Sequence, residues 1–121
     1  MKKLGLSNSR RLRHRLEFSR VYDLRQRTGD RQLLVFAAKN DLGRTRFGVS
    51  VSKKHGNAVK RVRLKRLLRE AFRLSQHVLP RGLDLILIPR QHSGARLNDY
   101  QRSLCNAAAK LARRLGVGDE P

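Results

Sequence analysis

Residues 53–73 read KKHGNAVKRVRLKRLLREAFR, and the rest of the chain is organised around them. Leu64, Leu67, Leu68 and Ala71 recur at three- and four-residue steps, the spacing of one helix face. At about 100° per residue they form one apolar arc, with Lys65, Arg66, Arg69 and Arg73 on the opposite side. Such a helix docks one face on a core and turns a row of cations outward. Gly56-Asn57 is a turn signal, and Asn57 is suited to cap the helix through its side-chain oxygen. Helix N-termini and lysines both attract anions, so Lys53, Lys54 and the amides after Asn57 offer a second anionic contact point.

From residue 60 to 73, seven cations (Lys60, Arg61, Arg63, Lys65, Arg66, Arg69, Arg73) surround one acid, Glu70. A charge run is most often just a solvated helix face. Here a single acid cannot relieve the repulsion by intrahelical pairing, and an anionic partner accounts for the pattern better. Composition agrees. The chain has 121 residues, enough for one domain with one core, and carries a net charge of +20. Self-repulsion on that scale destabilises a compact fold unless a polyanion offsets it. A membrane is excluded as that polyanion's host, since no apolar run approaches the roughly 18 residues of a spanning helix. The start, MKKLGLSNSRR, lacks the apolar region of a signal peptide, and a lone Cys105 fits a reducing compartment; both imply a cytoplasmic protein.

Along the chain, residues 1–15 are basic without apolar periodicity and are expected to form a flexible arm that orders on a polyanion. Residues 16–25 read as a short helix with Phe18, Val21 and Tyr22 on one face. Residues 32–39 (QLLVFAAK) have the length and composition of a strand. Residues 46–52 alternate, Phe47, Val49 and Val51 facing a core and Arg46, Gly48, Ser50 and Ser52 forming a small polar face that a base could approach closely. Pro80-Arg81-Gly82 breaks the chain before a buried strand, LDLILIP, at 83–89. A last helix, capped by Asn98 or Asp99, runs to Leu115 with Tyr100, Leu104, Ala107, Ala108, Leu111 and Leu115 buried and Gly116 past its end. A single α+β domain over residues 16–115 follows, with a disordered tail at 116–121.

Catalytic chemistry is scarce. His14, His55, His77 and His92 are scattered and no second cysteine exists, so neither a zinc site nor a Cys–His nucleophile is supported. His55 reads as an exposed turn residue. The acids do not converge as two-metal nucleases require, and no phosphate-binding glycine loop is present. These features suit an accessory to something else that cuts RNA.

The motif Ser52-Lys53-Lys54, Gly56-Asn57-Ala58-Val59, Arg61, Arg63, Lys65-Arg66, Arg69-Glu70, Phe72-Arg73 resembles the signature of the bacterial ribonuclease P protein component. One position departs from it: the asparagine of the family's Arg-Asn-Arg is Val62. The resemblance implies an α-β-β-β-α-β-α fold, a four-stranded sheet with three helices similar to the second domain of a small-subunit ribosomal protein. A further short strand near 27–32 completes that sheet, and the basic helix lies in a left-handed crossover. It also implies that a catalytic RNA, using Mg²⁺, removes the 5′ leader of precursor tRNA, while the protein binds both RNAs one-to-one and itself binds no cofactor or metal. By the same analogy Arg61, Arg63, Lys65, Arg66, Arg69 and Arg73 contact the catalytic RNA. Phe18, Tyr22, Phe36, Lys53, Lys54, Asn57, Ala58 and Val59 form or flank the leader cleft, and Glu70 is a structural partner of arginines. Three other readings compete. A ribosomal-type RNA binder would bury Phe18, Tyr22 and Phe36, a DNA-binding regulator needs a neighbouring helix, and a free-standing nuclease needs convergent carboxylates.

Overall fold

The LDLILIP segment is apolar almost throughout because its strand is central and covered on both faces. A computed structural model describes residues 8–117. It contains α1 (Arg15–Asp23), β1 (Arg27–Gly29), β2 (Leu33–Lys39), β3 (Arg46–Val49), α2 (Ala58–Ser75), β4 (Leu83–Pro89) and α3 (Leu97–Leu115), the expected α-β-β-β-α-β-α order. The sheet order is β1-β2-β4-β3, with β3 and β4 parallel and the other pairs antiparallel. The α2 helix is thus the crossover between two neighbouring parallel strands.

Alternation along the strands splits the core into two layers. On one face Leu33, Val35, Phe47, Leu83, Leu85 and Leu87 pack with Leu68, Ala71 and Phe72 of α2 and Tyr100, Leu104 and Leu111 of α3. The Phe47 and Phe72 rings stack 4.2 Å apart, pinning α2 to β3. The buried arc of α2 is therefore wider than Leu64, Leu67, Leu68 and Ala71, taking in Phe72 and Ser75 as well. On the other face α1 lays Val21, Phe18 and Tyr22 against Phe36, Ala38, Ile86 and Ile88.

Three local expectations are revised. Residues 8–14 are not a free arm: Leu12 is buried, its N–H donates to Phe47 O at 2.8 Å, and Arg44 Nε donates to Ser9 O. As the edge strand, β3 offers unpaired backbone groups, and the arm satisfies them. Residues 1–7 and 118–121, expected as the outer arm and the tail, lie outside the described residues. The polar face of 46–52 is not open either, because Arg46 is held in ion pairs and Gly48 lies under the Phe18 ring. Finally, α3 is capped at Arg96, and Asp99 acts from its third position, its carboxylate accepting from Arg96 N–H at 2.8 Å. Gly116 takes the left-handed conformation expected after the last turn.

One carboxylate ties α1 to the sheet. Asp84, fully buried in β4, accepts from Arg46 Nε and Nη2 at 2.9 and 2.7 Å, from Asn40 Nδ2 at 2.8 Å and from Arg20 Nη2. Burial pushes its pKa up, but the hydrogen bonds from Arg46 and Asn40 overcome that and hold the carboxyl below the usual aspartate range. Arg46 also reaches Glu17 of α1 at 2.9 Å.

Candidate nucleic-acid interface

The entry to α2 is built from short-range polar contacts. In the 3-10 turn at Lys53–His55, Ser52 Oγ accepts from Lys54 N–H, and Ser52 N–H donates to His55 Nδ1 at 3.0 Å. That leaves Nε2 to carry the ring proton and donate to Pro89 O at 2.7 Å. His55 is thus a half-buried brace between the turn and β4, not an exposed turn residue. Gly56 has φ +121°, and a side chain there would also meet Lys60 Cδ at 2.9 Å. Asn57 Oδ1 accepts from Lys60 N–H at 2.9 Å and caps the helix as expected. Lys53 and Lys54 are left exposed.

Along α2 the cations divide by environment. Arg63, Lys65 and Arg66 are exposed, whereas Arg61, Arg69 and Arg73 are half-buried. Glu70 takes Arg73 in a bidentate pair, Nε to Oε1 at 2.8 Å, and this hydrogen bonding draws the Glu70 pKa down. Glu70 is therefore an arginine partner, as expected. Arg61 Nε is buried and has no hydrogen-bond partner among the described residues. Ala58, Val59 and Val62 form an apolar strip bordered by Arg63 and Arg66.

Three aromatics meet on the α1 face of the sheet. The Tyr22 and Phe36 rings pack edge to face, 5.0 Å between centroids, and the Arg27 guanidinium sits 5.8 Å over Phe36. Phe18, Tyr22 and Phe36 are each half-buried, so each keeps part of its ring accessible. A cavity of about 200 Å³ links this face to α2: Arg11, Phe18, Gly48 and Val49 line one side and Lys65 and Arg69 the other. Phe18 and the α2 cations, about fifty residues apart in sequence, thus share one concave surface around the β3 edge. Lys53 and Lys54 do not line it; they border a separate cavity with the β4–α3 loop.

Two contributors were missed from the sequence. Arg11 enters the small cavity because its neighbour Leu12 anchors the arm, and the signal was one apolar residue inside RRLRHR. Asp84 was the other: a single acid within an apolar strand must find partners, and the fold supplies Arg46 from β3 and Arg20 from α1. Among the described residues no group of three His, Cys, Asp or Glu side chains could hold a metal ion, and no helix is long and apolar enough to cross a membrane.

Known proteins are similar to this chain in sequence and in fold. The family model described as Ribonuclease P matches residues 6–115. The ribonuclease P protein component of Syntrophus aciditrophicus is 38% identical over 95 residues, covering 78% of this chain and 80% of that protein. The solved RNase P protein of Staphylococcus aureus superposes with a TM-score of 0.71 at 32% identity, covering 88% of this chain and 97% of that one. The Thermotoga maritima protein gives a TM-score of 0.72 at 31% identity, covering 79% and 92%.

Proposed function

The chain belongs to the ribonuclease P protein family, and from that premise we propose that it is the RNA-binding accessory subunit of a ribonucleoprotein that trims the 5′ ends of tRNA. Its partner is the catalytic RNA, and its substrate is precursor tRNA with a single-stranded leader. The cations of α2 (Arg61, Arg63, Lys65, Arg66, Arg69 and Arg73) contact the catalytic RNA, replacing condensed counterions at its phosphates. Phe18, Tyr22 and Phe36 offer partly exposed rings for unpaired leader bases, a mode that tolerates any sequence.

The observation that carries this reading is the shared cavity in which Phe18 faces Lys65 and Arg69. A single strand needs stacking surface and phosphate charge together, and this surface supplies both. A ribosomal-type binder that needs no leader has no use for half-exposed aromatics beside the basic helix. Bond cleavage belongs to the RNA and the Mg²⁺ it binds; this chain holds the leader and adds positive charge near the scissile region, acting in the cytoplasm as one copy per RNA. Lys53 and Lys54 add phosphate charge from a separate cavity beside the β4–α3 loop, while Asn57, Ala58 and Val59 shape the start of α2.

The reading is tested by comparing how the protein–RNA complex binds tRNA with and without a 5′ leader. The leader should strengthen binding, and Tyr22→Ala with Phe36→Ala should remove most of that gain, at about 1–3 kcal/mol per lost stacking contact. A leader effect that survives both substitutions would place the leader elsewhere.

A further inference from the structure

A larger cavity, of about 650 Å³, lies between the Lys53–His55 turn, the first turns of α2 and the loop joining β4 to α3. Its floor is aliphatic: Leu64, Leu67, Ala95 and Leu97, all half-buried and packed on the main core. Its rim carries six exposed cations, Lys53, Lys54, Lys60, Arg63, Arg90 and Arg96, and no acid among the described residues lines it. The floor belongs to the α2–α3 side of the sheet, whereas Phe18, Tyr22 and Phe36 pack on the other side and line none of it.

We propose that this cavity is a pocket for one unstacked RNA nucleotide, its base against the Leu64–Leu97 floor and its phosphate on the cationic rim. The proposal rests on the RNA-binding reading above and adds a second single-nucleotide contact to it. Three features select this occupant. The volume falls within the range of about 300–1,000 Å³ typical of small-ligand pockets. A bare phosphate would gain nothing from the aliphatic floor, whereas a base, with two apolar faces and no charge, gains from burial there. The guanidinium planes of Arg63 and Arg96 can both stack on a base and pair with phosphate, which the ammonium of lysine cannot do, while Arg90, its Nε donating to Asp30 O at 3.1 Å, adds charge to the rim.

The test uses the full chain, without the catalytic RNA, in two-dimensional ¹H–¹⁵N spectra titrated with adenosine 5′-monophosphate. Inorganic phosphate, adenosine and an acidic leucine-containing peptide are titrated in parallel at constant ionic strength. The mononucleotide should shift the amides of residues 92–97 and of Leu64 saturably, at lower concentration than any of the other three. Lys60→Glu with Arg90→Glu should weaken that binding at least about tenfold, the equivalent of 1.4 kcal/mol. Lys110→Glu with Arg113→Glu, an identical change of charge on the distant half of α3, should leave it nearly unchanged.

Equal losses in both double variants would reduce the effect to overall charge and overturn the proposal. So would phosphate alone saturating the same amides as tightly, or the peptide binding more tightly than the nucleotide. If a single-stranded RNA pentamer shifts only amides around Phe18, Tyr22 and Phe36, the accessory-subunit reading stands and the pocket falls. If the pentamer shifts no amides at all, the RNA-binding reading itself fails.

Discussion

Replacing Asp84 with Asn tests whether the buried carboxylate is what fixes α1, and with it Phe18 and Tyr22, on the sheet. Asp84 is fully buried and takes four hydrogen bonds, three from arginines on α1 and β3. The amide keeps the shape but loses the charge, and it turns an NH₂ toward donors. Arg46, with its side chain 16% exposed, is left nearly buried with Glu17 beside it but without the charge of Asp84. Removing one partner of a buried pair costs about 3–5 kcal/mol. Arg20, at 42% exposure, recovers water and adds little, so the lower end applies, about 3 kcal/mol. At roughly 4 °C per kcal/mol for a domain of this size, the melting midpoint should fall by about 12 °C.

The sign with pH is defined. Because the folded pKa of Asp84 is depressed, its contribution is fully present above the ordinary aspartate value of about 3.9 and lost as pH falls through the lower folded value. The difference between wild type and Asp84→Asn, measured by urea denaturation with circular dichroism, should therefore be flat from about pH 5 to 8 and shrink in stronger acid. Replacing Asp84 and Arg46 together with Leu and Met should recover much of the loss, since an apolar pair carries no desolvation penalty. A single-variant cost below about 1 kcal/mol at pH 7 would refute the reasoning, showing the network to be no stronger than a surface pair.

Three further outcomes follow from the same geometry. Arg66→Ala with Arg69→Ala should weaken binding of the catalytic RNA and lower the slope of log affinity against log salt by about 1.5, two phosphate contacts' worth, in filter-binding assays; an unchanged slope would mean that this face touches no phosphate. Gly48→Ala places a Cβ 2.3 Å from Phe18 Cζ, so the ring must move. Leader binding should drop while catalytic-RNA affinity and its salt slope stay the same, and a matched loss of both would deny the aromatic face a separate role. Val62→Asn, measured by the same RNA binding, should be neutral or favourable, because Val62 is an exposed position beside Arg63 and Arg66 and the change restores the family residue. A large loss in a folded protein would show that the strip of Ala58, Val59 and Val62 makes an apolar contact with RNA.

Local signals carried much of the fold. The α2 helix was legible from its apolar steps and from Asn57, because capping and amphipathic spacing are written within a few residues. The central strand LDLILIP was legible from its length and its bounding breaks. Non-local partners were not legible. Nothing near Asp84 reveals that Arg46, 38 residues away, will hold it. Nothing near Leu12 shows that an edge strand will recruit the arm. The alternation of 46–52 was read correctly for Phe47, but the open face assigned to Gly48 is taken by Phe18, a residue on another element. The site followed the same rule. The aromatics and cations of the candidate site are what the family resemblance implies, whereas the separation of Lys53 and Lys54 from the aromatic face is set by how the end of β4 and the α3 entry fold around them.

The central claim is that this chain enables an RNA to cut without cutting itself. Its most direct test is cleavage of a precursor tRNA bearing a 5′ leader at low Mg²⁺, by a bacterial ribonuclease P RNA with and without this protein, and by the protein alone. Release of the leader is expected in the combined reaction, with little from RNA alone at that Mg²⁺ concentration and none from the protein. Cleavage by the purified protein alone, or no stimulation of its native RNA partner, would contradict it.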